Sequence, residues 1–253
     1  MSEKEPFRSC MVEIKDILKP YKTNSKKTRL GRKQDGGYVI NEIPNIKYDA
    51  LYSYGSDNLI EFEREFYAKF GVNSYTYDHT INGITNKPDY VSFFKEGVSG
   101  VPNPNLPTNT IESHIIRNNH QDCSNLFMQM DIEGSEWETL LFSKFSVLHK
   151  FSQIVIELHL DNVYLKIVLE VLKKLNQIFV CTHVHGNNNP IHPWVDINFP
   201  QVIEVTYVRR DLVEIYDVDM DIYPSELDYP NRVGYPDLPL DWWKHTYSVM
   251  PPE

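Results

Sequence analysis

Cysteine is scarce in this 253-residue chain: Cys10, Cys123 and Cys181 are odd in number, widely spaced and include no CxxC pair. Such a set suits neither a disulfide framework nor a cysteine zinc site, and a reducing, cytoplasmic compartment is expected. Long apolar runs are also missing. None approaches the roughly 18 residues of a bilayer-spanning helix, and Met1 to Pro6 is too polar to begin a secretory signal. Positive charge is in deficit, with 25 Lys and Arg against 35 Asp and Glu and a formal net charge of −10. Polyanion binders display basic surface, so the expected partner is neither nucleic acid nor a membrane. The one dense basic run, Lys22 to Lys33, reads as a solvated loop or as a holder for an anionic substrate.

Against these absences stand 41% hydrophobic residues, 13% of the chain being aromatic, enough for one large core. Met11, Ile14, Ile17 and Leu18 fall at helical spacing before Pro20. Asp35-Gly36-Gly37 signals a tight turn into a strand. Strands are then expected over Tyr48–Tyr54, Ser74–Tyr77, Val91–Val98, Leu126–Met130, Ile154–Leu160, Ile178–Val184 and Val202–Val208. Helices are expected over Glu61–Phe70, Thr110–Asn118, Glu136–Phe145 and Val163–Leu175. Strands alternating with helices of about ten residues imply an α/β fold, a doubly wound and mostly parallel Rossmann-like sheet. The last two strands lack a clear helix between them, so one of them should run antiparallel. One domain over 1–253 is expected, with 1–47 a helix and covering segment and 211–253 an irregular wrap.

The most informative segment is Leu126 to Glu138, where an apolar run ends abruptly in Asp131 and Glu133, followed by Gly134, Ser135 and more acids. That is a buried strand with two carboxylates at its tip and a helix opening behind it. Ligands of open α/β sheets sit beyond the carboxyl ends of strands. Gly55, ending the first core strand, leaves room for a ligand, and Asp78, at the next strand tip, suits a ribose diol. The turn Gly55-Ser56-Asp57-Asn58 has one glycine and places Asp57 where a diphosphate would lie. A cationic nucleoside such as S-adenosylmethionine therefore matches better than a nicotinamide dinucleotide. Glu157 and His159 share a strand face, as do His183 and His185. Asp131, Glu157, His159 and His185 are expected to converge as a catalytic group. They would act either by proton transfer or as ligands for a divalent cation such as Mg²⁺ or Mn²⁺.

Several stretches together resemble the FkbM-type methyltransferases: Asp35-Gly36-Gly37-Tyr38-Val39, Tyr52-Ser53-Tyr54-Gly55, Tyr77-Asp78 and Asp131-Ile132-Glu133-Gly134-Ser135-Glu136-Trp137-Glu138. The similarity continues through Ile156-Glu157-Leu158-His159, His183 to Asn188, Ile203 to Tyr207 and Leu227 to Asn231, so it runs from about Leu30 to Leu240. The resemblance implies a class I methyltransferase sheet and an S-adenosylmethionine-dependent O-methyltransferase. Its acceptor would be a carbohydrate-like small molecule, such as a nucleotide-linked sugar. Relatives usually carry a second glycine near position 57, where this chain has Asp57. Gly37, Tyr54, Gly55, Asp57, Asp78, Asp131 and Glu133 are then the expected cofactor contacts. Arg32, Lys33, Asp35 and Asn187 are the expected substrate contacts, and self-association is left open. Two rivals remain at this point: a nicotinamide-dependent oxidoreductase, and a catalytically silent nucleoside-binding domain.

Overall fold

In the computed structural model, which describes residues 4–160, 163–189 and 199–244, a seven-stranded sheet carries the chain. In chain order the elements begin with α1 (Lys4–Ile17), β1 (Tyr21–Thr23), β2 (Lys26–Gly31), β3 (Gly37–Glu42), β4 (Ala50–Tyr54) and α2 (Glu61–Phe70). There follow β5 (Ser74–Tyr77), β6 (Val91–Phe94), β7 (Gly97–Val98), β8 (Thr108–Asn109), α3 (Ile111–Arg117) and β9 (Leu126–Met130). The remainder comprises α4 (Glu136–Phe142), α5 (Phe145–Leu148), β10 (Phe151–His159), α6 (Leu165–Ile178), β11 (Phe179–Gly186), β12 (Val202–Arg209) and β13 (Ile215–Val218). The main sheet has the order β11-β12-β10-β9-β4-β5-β6. Strands β6, β5, β4, β9 and β10 run parallel, whereas β12 is antiparallel to both β10 and β11.

Both faces of this sheet are buried, which is why its strands read as nearly continuous apolar runs. One face packs on α1, α3, α4 and α6 through residues such as Ile14, Ile115, Leu140 and Leu172. The other is covered by α2 and by the hairpin β2–β3. There Leu30, Tyr38, Ile40, Phe62 and Phe66 meet Leu51, Phe127 and Val155. The period-four stripe of α2 is what seats it: the rings of Phe66 and Phe127 lie 4.8 Å apart. Gly71 then stops the helix in the left-handed conformation, φ +68°.

The structure differs from expectation in four places. Lys26 to Gly31 forms a strand, not a solvated loop, because each residue from Lys26 to Gly31 pairs with the Gly37–Glu42 strand. Two of its three charges are taken up internally: Lys27 meets Asp219 and the Tyr223 hydroxyl, and Arg29 donates to the carbonyls of Arg32 and Gln34. Val91–Val98 is broken after Phe94, with Gly97–Val98 leaving the sheet to pair with Thr108–Asn109. The helix expected through Phe145 ends at Phe142, where Ser143 turns extended and α5 begins separately. The C-terminal wrap is not wholly irregular, since β13 pairs antiparallel with β1. The Pro- and Asn-rich connection lies from 190 to 198 outside the described residues, as do 1–3 and 245–253 of the terminal segments. Among the described residues, no helix is long and apolar enough to cross a membrane.

Candidate functional site

A cavity of about 390 Å³ opens at the carboxyl ends of β4, β5 and β9, the position at which open α/β sheets bind ligands. Seven carboxyl groups line it, from Asp35, Asp57, Glu61, Glu63, Asp78, Asp131 and Glu133, and among the described residues no Lys or Arg does. Such a wall repels phosphates and attracts cations. Two backbone devices shape its floor. Gly55 adopts φ +75°, and a Cβ there would lie 1.6 Å from the Asp131 carbonyl oxygen. The glycine thus lets the β4 tip pass against the β9 tip; the close neighbour is the chain's own backbone rather than a ligand. Beyond β9, Glu133 is left-handed at φ +53° and Gly134 follows at φ +99°. A non-glycine residue in that region is uncommon and often marks a functional turn.

Asp78 organises two loops at the β5 tip. One oxygen accepts from the Asp57 N–H at 3.0 Å; the other accepts from the Thr80 N–H at 2.8 Å and its hydroxyl at 2.6 Å. A carboxylate has about four acceptor positions, so one remains for a ligand hydroxyl in the cavity.

Strand register sets the rest of the site. Ile156 pairs with Met130, Glu157 with Glu204, and Glu204 with His185. Asp131, Glu157, Glu204 and His185 therefore form one row across four strands, on the face covered by the hairpin. Asp131 and Glu157 are neighbours at the adjoining tips of β9 and β10, and each bears on the other's ionisation. Burial, then the neighbouring charges of Asp131 and Glu204, holds Glu157 well above the usual carboxylate range; burial likewise raises Asp131. Asn187 donates to Glu157 at 2.6 Å.

His159 stands beside the row. Its Nδ1 meets the fully buried Glu136 at 3.1 Å, and its Nε2 lies 3.4 Å from Glu133 and 3.9 Å from Glu157. Burial alone would lower its pKa, but the Glu136 hydrogen bond and the surrounding carboxylates raise it to about 8. A second polar chain reaches Asp131 from below. Ser53 contacts both Glu63 and Gln129, Gln129 donates to Tyr38, and Tyr38 donates to Asp131 at 3.4 Å. Ser53 has one hydroxyl proton for two oxygens, so one contact takes its hydrogen from elsewhere. Glu63, pushed up to about 7 by burial, supplies it as a neutral acid.

The structure brings together Asp131, Glu133, Glu157 and His159, and sets Asp57 and Asp78 on the same cavity. It removes other expected contacts. His185 has both ring nitrogens occupied, Nδ1 by Glu204 and Nε2 by Asp237, each at 3.0 Å. Sealed at 1% exposure, it is a buried ion-pair member and not an acceptor-side base. His183 is closed off by Asp228 at 2.8 Å. Tyr54 is fully buried in the helical core, its ring stacked on His114, away from the cavity. A Cβ on Gly37 would strike the Arg32 carbonyl at 2.0 Å, so that glycine serves the hairpin turn. Lys33 lies over the Tyr229 ring, Arg32 lends its carbonyl to Arg29, and Asn187 holds Glu157; of the expected substrate contacts only Asp35 lines the cavity.

Glu136, Glu204, Tyr38, Gln129 and Glu63 escaped the sequence reading. A carboxylate inside the apolar run Val202–Val208 was the visible signal for Glu204; the others sit among ordinary helix and strand residues. No protein-family model matches the chain, and no curated protein matches it. Among solved structures, one match is described as "Putative hemolysin from Streptococcus thermophilus", with 11% identity and a TM-score of 0.37. It covers 66% of this chain and 62% of that one, so this chain spans less than two thirds of its neighbour.

Proposed function

We propose that this chain is a cytoplasmic S-adenosylmethionine-dependent O-methyltransferase of the FkbM type, acting on a hydroxyl of a small carbohydrate-like acceptor. The observation that carries the reading is the cavity at the β4 and β5 tips, with seven carboxyl groups and, among the described residues, no Lys or Arg. A dinucleotide diphosphate is repelled there, whereas a nucleoside bearing ammonium and sulfonium charges is attracted. The strand order, with reversed β12 between β10 and β11, fits the class I methyltransferase sheet.

When bound, the cofactor supplies a methyl group activated on a sulfonium. The residues do the rest. Asp78 accepts from a ribose hydroxyl while keeping the Asp57 and Thr80 loops in place. Glu157, made a stronger base than an ordinary carboxylate by burial and by its acidic neighbours, takes the proton of the acceptor hydroxyl. Asn187 fixes its orientation, and positioning of oxygen against methyl supplies much of the remaining rate.

Calorimetry with S-adenosylhomocysteine and NAD⁺ tests this reading. The expected outcome is binding of the former alone, weakened by Asp78→Asn by about 2 kcal/mol, roughly thirtyfold, as a charged acceptor becomes neutral. Glu157→Gln should lower turnover by about 10²–10⁴-fold and leave that affinity intact. Tight NAD⁺ binding with none for S-adenosylhomocysteine overturns the proposal.

A further inference from the structure

The carboxylates around His159 raise a question of charge balance. Among the described residues, the ion-pair partner of Glu133 and Glu157 is His159 alone. Asp131, Glu133 and His159 each present a ligand atom, and these atoms all lie within 4.8 Å of one another. Two ligands about 2.2 Å from a shared ion can stand up to about 4.4 Å apart. The separation of 3.4 Å between His159 Nε2 and Glu133 is inside that limit, and the rest close with small side-chain movements.

Two independent features set this group apart from an acidic cluster. The first is the clamp on the imidazole. Glu136 is 0% exposed; its Oε1 receives the Ile132 N–H at 2.9 Å and faces His159 Nδ1 at 3.1 Å. With Nδ1–H committed to that carboxylate, Nε2 is the nitrogen that faces Glu133 and Glu157, and a cation binding there displaces its proton and takes the lone pair. A carboxylate holding the far nitrogen of an imidazole is the usual support of a metal-ligating histidine. The second is Asp131 Oδ1, which is buried and accepts no hydrogen bond, whereas Oδ2 takes the Tyr38 hydroxyl. A buried acceptor without a donor is costly unless a ligand completes it.

We propose that Asp131, Glu133 and His159 bind one divalent cation at the edge of the cavity, with Glu157 beside it and Glu136 as the positioning residue. One imidazole and hard carboxylates favour Mn²⁺ or a similar ion over a thiophilic metal. The ion's place in the reaction, lowering the pKa of an acceptor hydroxyl, rests on the methyltransferase reading; its binding does not.

The test uses the full chain stripped with EDTA, without cofactor or acceptor, titrated with MnCl₂ while the electron paramagnetic resonance signal of the free ion is followed. One equivalent per chain should bind. Glu133→Gln, at a side chain 87% exposed and therefore harmless to folding, should weaken it at least tenfold. His159→Ala should do the same, and Glu136→Gln should weaken it about 10–100-fold. An absence of binding overturns the site. So does binding that survives both Glu133→Gln and His159→Ala, or that is lost in Glu204→Gln instead, which would move the ion to the Asp35, Glu157 and Glu204 group. Manganese binding without S-adenosylhomocysteine binding leaves the site standing and the methyltransferase reading fallen; the reverse result does the opposite.

Discussion

Glu63 shows how a single buried carboxyl group can support a site and weaken the fold. It is 2% exposed and titrates near 7 in place of 4.5, burial being the main cause. A folded-state pKa above the unfolded one means the native protein holds the proton more tightly. Folding is therefore disfavoured once the unfolded side chain ionises. The penalty starts near pH 4.5 and is complete above about pH 7, where it amounts to about 3 kcal/mol. Glu63→Gln keeps a donor for Ser53 and removes the titration. Denaturant unfolding should find the variant more stable at pH 8 by up to about 3 kcal/mol and equal to the parent at pH 4. An unchanged difference across that range would show that Glu63 does not hold a proton in the folded chain.

At the scale of elements, β11 is fastened to the segment that follows β13. His183 meets Asp228, His185 meets Asp237, and Asn188 accepts from the Arg232 N–H while donating to nearby carbonyls. Burial opposes a charged His185, but Glu204 and Asp237 outweigh it and raise its pKa to about 10. For a raised histidine, stabilisation is fully present below the unfolded value of about 6.5 and fades as pH rises toward 10. It is on the order of 4 kcal/mol. Comparing unfolding free energies at pH 6 and pH 9.5, the parent should lose most of that contribution and His185→Gln should not. If the two proteins share one pH profile, the ion pair is not fastening the segment. This role also explains why a histidine at a strand tip need not be catalytic.

Across the whole molecule, negative charge is both global and local. The chain carries −10 overall, and the cavity repeats that sign, with no Lys or Arg lining it among the described residues. The central part of the basic run is folded into the β2–β3 hairpin, with Lys27 and Arg29 bound to the chain's own groups. Gel-shift measurements with single-stranded RNA in 50 mM salt should show no complex at micromolar protein, since affinity for polyanions comes from phosphate neutralisation. A salt-sensitive complex in that range would contradict the reading of the surface.

Periodicity and punctuation were enough to place most of the sheet. Apolar runs ended by Gly55, Asp78 and Asp131 marked three strand tips, and Phe62, Phe66 and Phe70 marked α2, because local spacing dictates which face is buried. The carboxylates at those tips were legible for the same reason. Which of them touch was not. That Glu157 lies between Asp131 and Glu204, and that His185 falls one strand too far, depends on the order β9-β10-β12-β11, which follows from long-range pairing and not from neighbours in the chain. The burial that shifts Glu63 and the clamp of Glu136 on His159 arise only when separate elements exclude water together. The sequence by itself determined the elements and the acidic strand tips; the tertiary structure decided which acids meet one another, since desolvation and distance are properties of packing.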